Sequence, residues 1–375
     1  MHQGKSKVFF AGLRARGAKE NKCAKIEKLF EAAGFPSFIR KKALFAVKLH
    51  FGERGCDTFI NPVFARTVVD MLKKHGAKPF LTDTNTMYKG GRHNSVDHLE
   101  TAMQHGFSYA TIGAPIIIAD GLRNGGEVEV EINKKHFTRA LIADAIANAG
   151  GLIVLSHFKA HIAGGIGGAI KNLAMGCCAR QGKREQHTRE FTIIAEKCAA
   201  CGVCLANCPE EAIGWQKSGD KKHAVIDREK CISCGECMNM CTYKAVEMDW
   251  DQGVEDFNQR IAEYAYAAAQ TQKGRTGYIN FLLNITPDCD CVPWSDAAIV
   301  PDIGILSSLD PVALDQACFD LVNQQRGFAN SNLQCNHEPG EDKFRGANPK
   351  TMGHIQLSYA EEIGLGSTGY ELVSI

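Results

Sequence analysis

Short apolar runs alternate along the chain with stretches whose apolar residues recur at helical spacing. Residues 7–10 predict a first strand, and the Lys- and Ala-rich segment to Ala33 predicts a helix stopped by Gly34 and Pro36. Residues 43–50, dense in Leu, Phe and Val, predict a second strand that empties into a polar loop. Asn61 then caps, and Pro62 starts, a helix to His75, with Gly76 as its left-handed stop. A strand at 78–81, a helix at 95–104, a strand at 115–119, a hairpin pairing 127–132 with 137–142, a short helix and a strand at 151–156 follow. After an interruption the same grammar resumes with a helix at 257–270 and strands at 278–285 and 299–306. A helix at 310–325 closes the series, with Asp310 as cap and Pro311 at its first position. Strand, helix, strand at this spacing calls for a parallel sheet with right-handed crossovers. The predicted fold class is therefore α/β: a mostly parallel sheet core built from residues 1–190 and 251–375, interrupted by a small α+β unit at 191–250.

The interruption carries the densest chemistry. Cys198, Cys201, Cys204 and Cys208 stand at x2, x2, x3 spacing with Pro209 behind, and Cys231, Cys234, Cys237 and Cys241 repeat that spacing. Three thiolates in a tight turn can hold three irons of a cubane, but the turn is too short to bring round a fourth sulfur, which must come from elsewhere. Zinc asks for four ligands per site, usually as two well-separated CxxC pairs. A disulfide framework does not suit a long chain without a secretory leader. The segment resembles a bacterial dicluster ferredoxin, including Cys208-Pro209 and the pairs Ala212-Ile213 and Ala245-Val246, with Thr242 where a second proline usually stands. By the pairing rule of such ferredoxins, Cys198, Cys201 and Cys204 share one [4Fe-4S] cluster with Cys241, while Cys231, Cys234 and Cys237 share the other with Cys208.

Composition acts mainly by exclusion. Lys and Arg total 43 against 42 Asp and Glu, a net charge of +1, so there is no global electrostatic case for nucleic acid or a membrane surface. Local basic runs at 5–25 and 180–189 read as solvated faces. The longest apolar runs are strand-length, too short to span a bilayer, and Met1 leads into charged residues with no apolar leader behind it. The expectation is a cytoplasmic protein in a compartment that keeps its 16 cysteines reduced.

Open α/β sheets bind ligands at the loops beyond the carboxyl ends of their strands, and polar residues gather there. His50, Glu53, Arg54 and Asp57 follow the second strand; Asp83, Asn85, Arg92 and His93 follow the third. Further on, Gly164, Gly165, Gly167 and Gly168 lead into a helix from Ala169 with Lys171 on its first turn. Bare amides there could hold an anion or a cofactor's negative group, or the glycines could be close packing against the sheet. The run fails the dinucleotide fingerprint, since Ile170 stands at the third glycine position, and lacks the Walker A Lys-Ser/Thr pair. His157, His161 and His187 bracket Lys171 and mark the stretch as a site. In DCDCVPWSD, Cys289 and Cys291 are i and i+2, so both thiols of an extended segment point the same way, crowded by Asp288, Asp290 and Asp296. A metal, a redox disulfide and plain packing all remain open there. Cys23, Cys56, Cys177, Cys178, Cys318 and Cys335 read as buried apolar fillers.

Through the phrases KLHFGERG, FLTDTNTMYKGGR, IVLSHFKAHIAGGIGGAIKNLAMG and DCDCVPWSDAAIVPDIGILSSLDPVALDQA, the chain resembles the uncharacterised Fe-S centre protein family, a domain of unknown function carrying an inserted dicluster ferredoxin. More locally, His161, Lys171, Gly176 and His187 follow one another at a spacing similar to that in the nickel-pincer lactate racemase. That likeness implies that His161 moves a proton, Lys171 anchors a cofactor or acid substrate, and His187 ligates a metal. The leading reading is an oxidoreductase whose two clusters relay electrons to a substrate or cofactor at the Lys171 loop. Catalysis would fall to His161, Lys171 and His187, and cofactor contacts to Gly164, Gly165, Gly167, Gly168, Asp83, Asn85 and His157. The loop has room in this reading for a further cofactor or metal. One alternative is an electron-transfer or docking protein without chemistry of its own; another is a non-redox isomerase or cofactor-handling enzyme. The expected partner is a redox protein or a small molecule, an anion being the class a lysine would favour, and neither nucleic acid nor a membrane is expected.

Overall fold

The structure is a computed structural model that describes residues 5–123, 125–187, 190–219, 221–248 and 253–375. Arg189, at the end of one basic run, and the boundary expected between 250 and 251 lie outside the described residues. The core is an eight-stranded sheet of Ser6–Gly12 (β1), Leu44–Lys48 (β2), Lys78–Asp83 (β3), Ile116–Ile118 (β4), Leu152–His157 (β5), Thr276–Leu282 (β6), Gly304–Ser308 (β7) and Tyr370–Ser374 (β8). Its order is β8-β1-β7-β6-β5-β2-β3-β4. From β6 to β4 every pairing is parallel, and so is β8 with β1. The exception is β7, which runs antiparallel to both β1 and β6. It follows β6 through a long loop without the helix that usually carries a parallel crossover.

Every residue of β5 and β6 is buried, as expected of central strands covered on both faces. Alternate residues serve opposite faces: Val154 packs in one core, Ile153 and Leu155 in the other. Lys22–Ala32 (α1) and Pro62–Lys74 (α2) cover the latter face through Leu29, Phe30, Val68 and Leu72. Ala169–Cys177 (α3), Val254–Thr271 (α4) and Pro311–Asn323 (α5) cover the former through Ile170, Leu173, Ile261, Ala265 and Val312. The caps lie where the sequence puts them: the Asn61 side chain accepts from the Val63 amide, and Asp310 from those of Val312 and Ala313. Among the described residues no helix is long and apolar enough to cross a membrane.

The glycine run before α3 differs from its anion-binding reading. The first amides of that helix are taken by Asp315 on α5, which accepts from Ala169 at 2.8 Å and Ile170 at 2.9 Å. Gly165–Gly167 is itself a short strand paired with Lys159–His161. A Cβ on Gly165, at φ +79°, would stand 2.5 Å from the Gly353 amide nitrogen, and one on Gly168 2.4 Å from the Asp315 carboxylate. These glycines are close packing. Gly168→Ala should therefore cost about 1–3 kcal/mol by overpacking, read as a lowered urea midpoint at unchanged slope.

Between Phe191–Ile193 and Val246–Met248, which pair antiparallel, the chain builds a separate small unit. It contains the hairpin Ile213–Ser218 with Lys221–Ile226, and its own core of Phe191, Ala212, Ile213, Ala224, Val246 and Met248. Its halves repeat in backbone as well as in sequence. Positive φ recurs at Ala200 and Ser233, Gly202 and Gly235, and Glu211 and Lys244, each pair 33 residues apart. Of the six cysteines read as fillers, Cys56, Cys177, Cys178 and Cys318 are buried, but Cys23 is half-buried at the start of α1 and Cys335 is exposed in a loop.

Candidate functional site

A cavity of about 170 Å³ lies between the carboxyl ends of β2, β3 and β5 and the cysteine-rich unit. His50, Asp83, Arg92, His161, Lys171, His187, Cys289 and Cys291 line it from the core, and Phe191, Cys234, Gly235 and Met238 from the opposite side.

Its floor is a network of buried charges. Lys48, inside β2, meets Asp83 at the end of β3 at 2.9 Å, and Arg92 and His98 stand 3.6 and 3.7 Å from the same carboxylate. Burial alone would raise the Asp83 carboxyl, but Lys48, with His50, His98 and Arg92, holds it well below the usual carboxylate range. Burial and the Arg92 charge push His50 down, and its Nδ1 accepts the Gly52 amide at 3.0 Å. Arg92 also bonds Glu53 at 3.2 Å and Tyr88, whose hydroxyl donates to the Cys291 carbonyl at 3.0 Å. The Glu53 amide donates to the Asp290 carbonyl at 2.9 Å, so three strand-end loops are tied together. Below them the Asp290 carboxylate meets His157 Nδ1 at 2.9 Å and Lys159 Nζ at 3.2 Å. Burial opposes its charge, yet His157 and Lys159 hold it well below the ordinary value.

Lys171 is half-buried. Desolvation, joined by the neighbouring charge of Lys159 and opposed by Asp290, pushes its ammonium down to about 7. The Nδ1 of His161 accepts the amides of Ala163 and Gly164 at 3.1 and 2.9 Å, which fixes the neutral ring with its proton on Nε2. His187 follows the helix Arg180–Gln186, and its ring lies 5.4 Å from that of Phe257. Cys289 and Cys291 are joined by a disulfide, so the sixteen cysteines are not all reduced. Of the three nearby aspartates only Asp288 faces the cavity, since Asp290 turns away to His157 and Lys159.

His161, Lys171, His187 and Asp83 thus share one cavity. Other expected contacts do not reach it. The ring nitrogens of His157 are engaged by Asp290 and the Asn284 carbonyl, and Asn85 is held by Asp120 and Gly121. Gly164, Gly165, Gly167 and Gly168 pack behind the cavity. Arg54 pairs with Glu100 at 3.2 Å, and Asp57 is exposed. Lys48, Tyr88 and Lys159 escaped the sequence reading. The available signal was a lysine within an apolar strand, as in LFAVK and again in HFKAH.

The cysteine-rich unit encloses two smaller cavities. One is lined by Cys198, Cys201, Cys204 and Cys241, the other by Cys208, Cys231, Cys234 and Cys237. Each takes three sulfurs from one run and the fourth from the other. The amides of Ala212, Ala245 and Ser233 point at the sulfurs of Cys208, Cys241 and Cys231 at 3.2, 3.3 and 3.5 Å. Burial pushes the Cys234 thiol up to about 12. A thiol so disfavoured as an anion ligates only when a metal supplies the compensating charge. Four convergent sulfurs, amide donors and an apolar lining are what a buried cubane requires, so the residues fit that group. Cys234 and Gly235 line both the second of these cavities and the central one, whereas Cys201 in the first is exposed.

The family described as a domain of unknown function (DUF362) matches residues 45–320. No curated protein matches. Among solved structures, the lactate racemase apoprotein from Thermoanaerobacterium thermosaccharolyticum is similar at 11% identity and a TM-score of 0.34, covering 69% of this chain and 49% of that one. A protein from Thermotoga maritima is similar at 11% identity and a TM-score of 0.37, covering 78% and 57%. The chain spans roughly half the length of both.

Proposed function

The chain belongs to this DUF362 family, and from the geometry of its cavities we propose an iron-sulfur oxidoreductase in which two [4Fe-4S] clusters pass electrons to a small substrate or cofactor beside Lys171. The observation that carries this reading is the pair of crosswise four-cysteine cavities, one of which shares Cys234 with the charged cavity of the core. Cys198, Cys201, Cys204 and Cys241 would hold one cluster, and Cys231, Cys234, Cys237 and Cys208 the other. When bound, such clusters supply single electrons.

The core residues do the rest. With its pKa near 7, Lys171 can pair with an anion when protonated and take up a proton when not. His161 presents an N–H from Nε2, and His187 stands on the same wall. Met175, Met238, Phe257 and Val292 exclude water. Exposed Cys201 marks the side on which an electron-donating protein would dock.

Oxygen-free purification tests this. The expected product is brown, bleaches with dithionite and develops the paramagnetic resonance of reduced cubanes. Its Lys171, acylated by a small anhydride and mapped by mass, should become reactive as pH rises through 7 instead of near 10. Zinc in place of iron, with no visible absorbance, would sink the proposal.

A further inference from the structure

The disulfide between Cys289 and Cys291 bridges residues only two apart. Cross-linking so short a loop removes little freedom from the unfolded chain, so the bond does little for stability. Nor does the segment need it for shape. Asp290 between the two sulfurs is anchored to His157 and Lys159, and the Cys291 carbonyl accepts from Tyr88. Yet both sulfurs line the same cavity as Cys234 and Lys171. A ring nitrogen of His161 and both sulfurs lie within 4.8 Å of one another.

An imidazole and two sulfurs form a donor set that a soft metal would accept. Two features argue instead for electron and proton chemistry. The sulfurs are bonded to each other, leaving no thiolate to ligate. The His161 lone pair at Nδ1 is engaged by two backbone amides, so the proton sits on Nε2 and neither nitrogen is offered to a metal. The Cys291 amide donates to Cys289 Sγ at 3.3 Å and would stabilise negative charge developing on that sulfur.

We propose that Cys289 and Cys291 are a redox-active pair that collects two single electrons from the insert's iron-sulfur clusters, with His161 as the adjacent hydrogen-bond donor. The S–S bond breaks as it takes up two electrons and two protons, giving two thiols; two cluster oxidations balance it. Both protons come from solvent, and the neutral His161 ring keeps its Nε2 proton, since giving it up would leave an imidazolate. The dithiol then returns both electrons together to an acceptor in the cavity, and the S–S bond re-forms. This rests on the reading that the insert binds clusters, so the test separates the two.

Full-length protein, reconstituted with iron and sulfide without oxygen, is reduced stepwise with dithionite, quenched with acid, alkylated and mapped by mass. Alkylation at 289 and 291 should be absent in the oxidised protein and complete once the visible absorbance has bleached. His161→Ala should slow its appearance about tenfold at neutral pH, the size of one lost hydrogen bond to a charged group, while leaving cluster absorbance intact. Clusters that bleach while the pair stays bonded, thiols already free in oxidised protein, or an unchanged rate in His161→Ala would each overturn the proposal. Protein that binds no iron overturns the cluster reading and, with it, the electron source. The pair is then judged alone in a dithiothreitol redox buffer, where a reversible two-electron titration keeps its redox role and no response removes it.

Discussion

Protein carrying Cys208→Ala together with Cys234→Ala should retain about four irons per chain, whereas Cys208→Ala with Cys201→Ala should retain almost none, against about eight in the unaltered chain. The contrast follows from which sulfurs share a cavity. Cys208 follows Cys198, Cys201 and Cys204 in sequence but lies with Cys231, Cys234 and Cys237 in space. Removing Cys208 and Cys234 therefore strips two ligands from one site and leaves Cys198, Cys201, Cys204 and Cys241 untouched. Removing Cys208 and Cys201 damages both. If each run closed its own site, the order would invert, with the Cys208/Cys201 variant keeping half the iron and the Cys208/Cys234 variant none. Iron and acid-labile sulfide analysis of anaerobic protein distinguishes the two outcomes.

Asp290→Ala should destabilise the core by about 3–5 kcal/mol, because it leaves a buried lysine and histidine without their carboxylate. Lys159 and His157 both converge on Asp290, which is 1% exposed. Asp290→Asn keeps the shape and loses the charge, and should fall between. The pH dependence has a definite sign. The Asp290 carboxyl is held below its unfolded value of about 3.9. Its contribution is therefore fully present above pH 4 and fades as pH falls through the lower folded-state value. Denaturant melts at pH 7 and pH 3 should show the wild-type advantage over Asp290→Ala shrinking at the lower pH. An equal gap at both would mean that the side chain acts through packing and not through charge.

What the sequence disclosed, and what it withheld, divides along physical lines. Spacing says that a tight turn cannot close a four-sulfur site by itself, and the likeness to dicluster ferredoxins supplies the crosswise pairing. Helix starts at Asn61 and Asp310 were legible because capping is a matter of neighbouring residues. The direction of β7 was not, since a strand's residues do not encode which way its partner runs. His161, Lys171 and His187 could be grouped because they lie close in sequence. The glycine run was misleading for the opposite reason: the carboxylate that occupies the amides of α3 belongs to Asp315, far along the chain. Lys48 and Lys159 stayed hidden because a buried lysine makes sense only with its aspartate in view.

Phe191 lies opposite Met248, so the chain leaves the sheet-bearing body and returns to it along neighbouring strands about 5 Å apart. A segment attached through such a narrow neck can be lengthened, trimmed or swapped without shifting any strand of its host. Relatives with a different graft at this position, or with none, would need no new architecture.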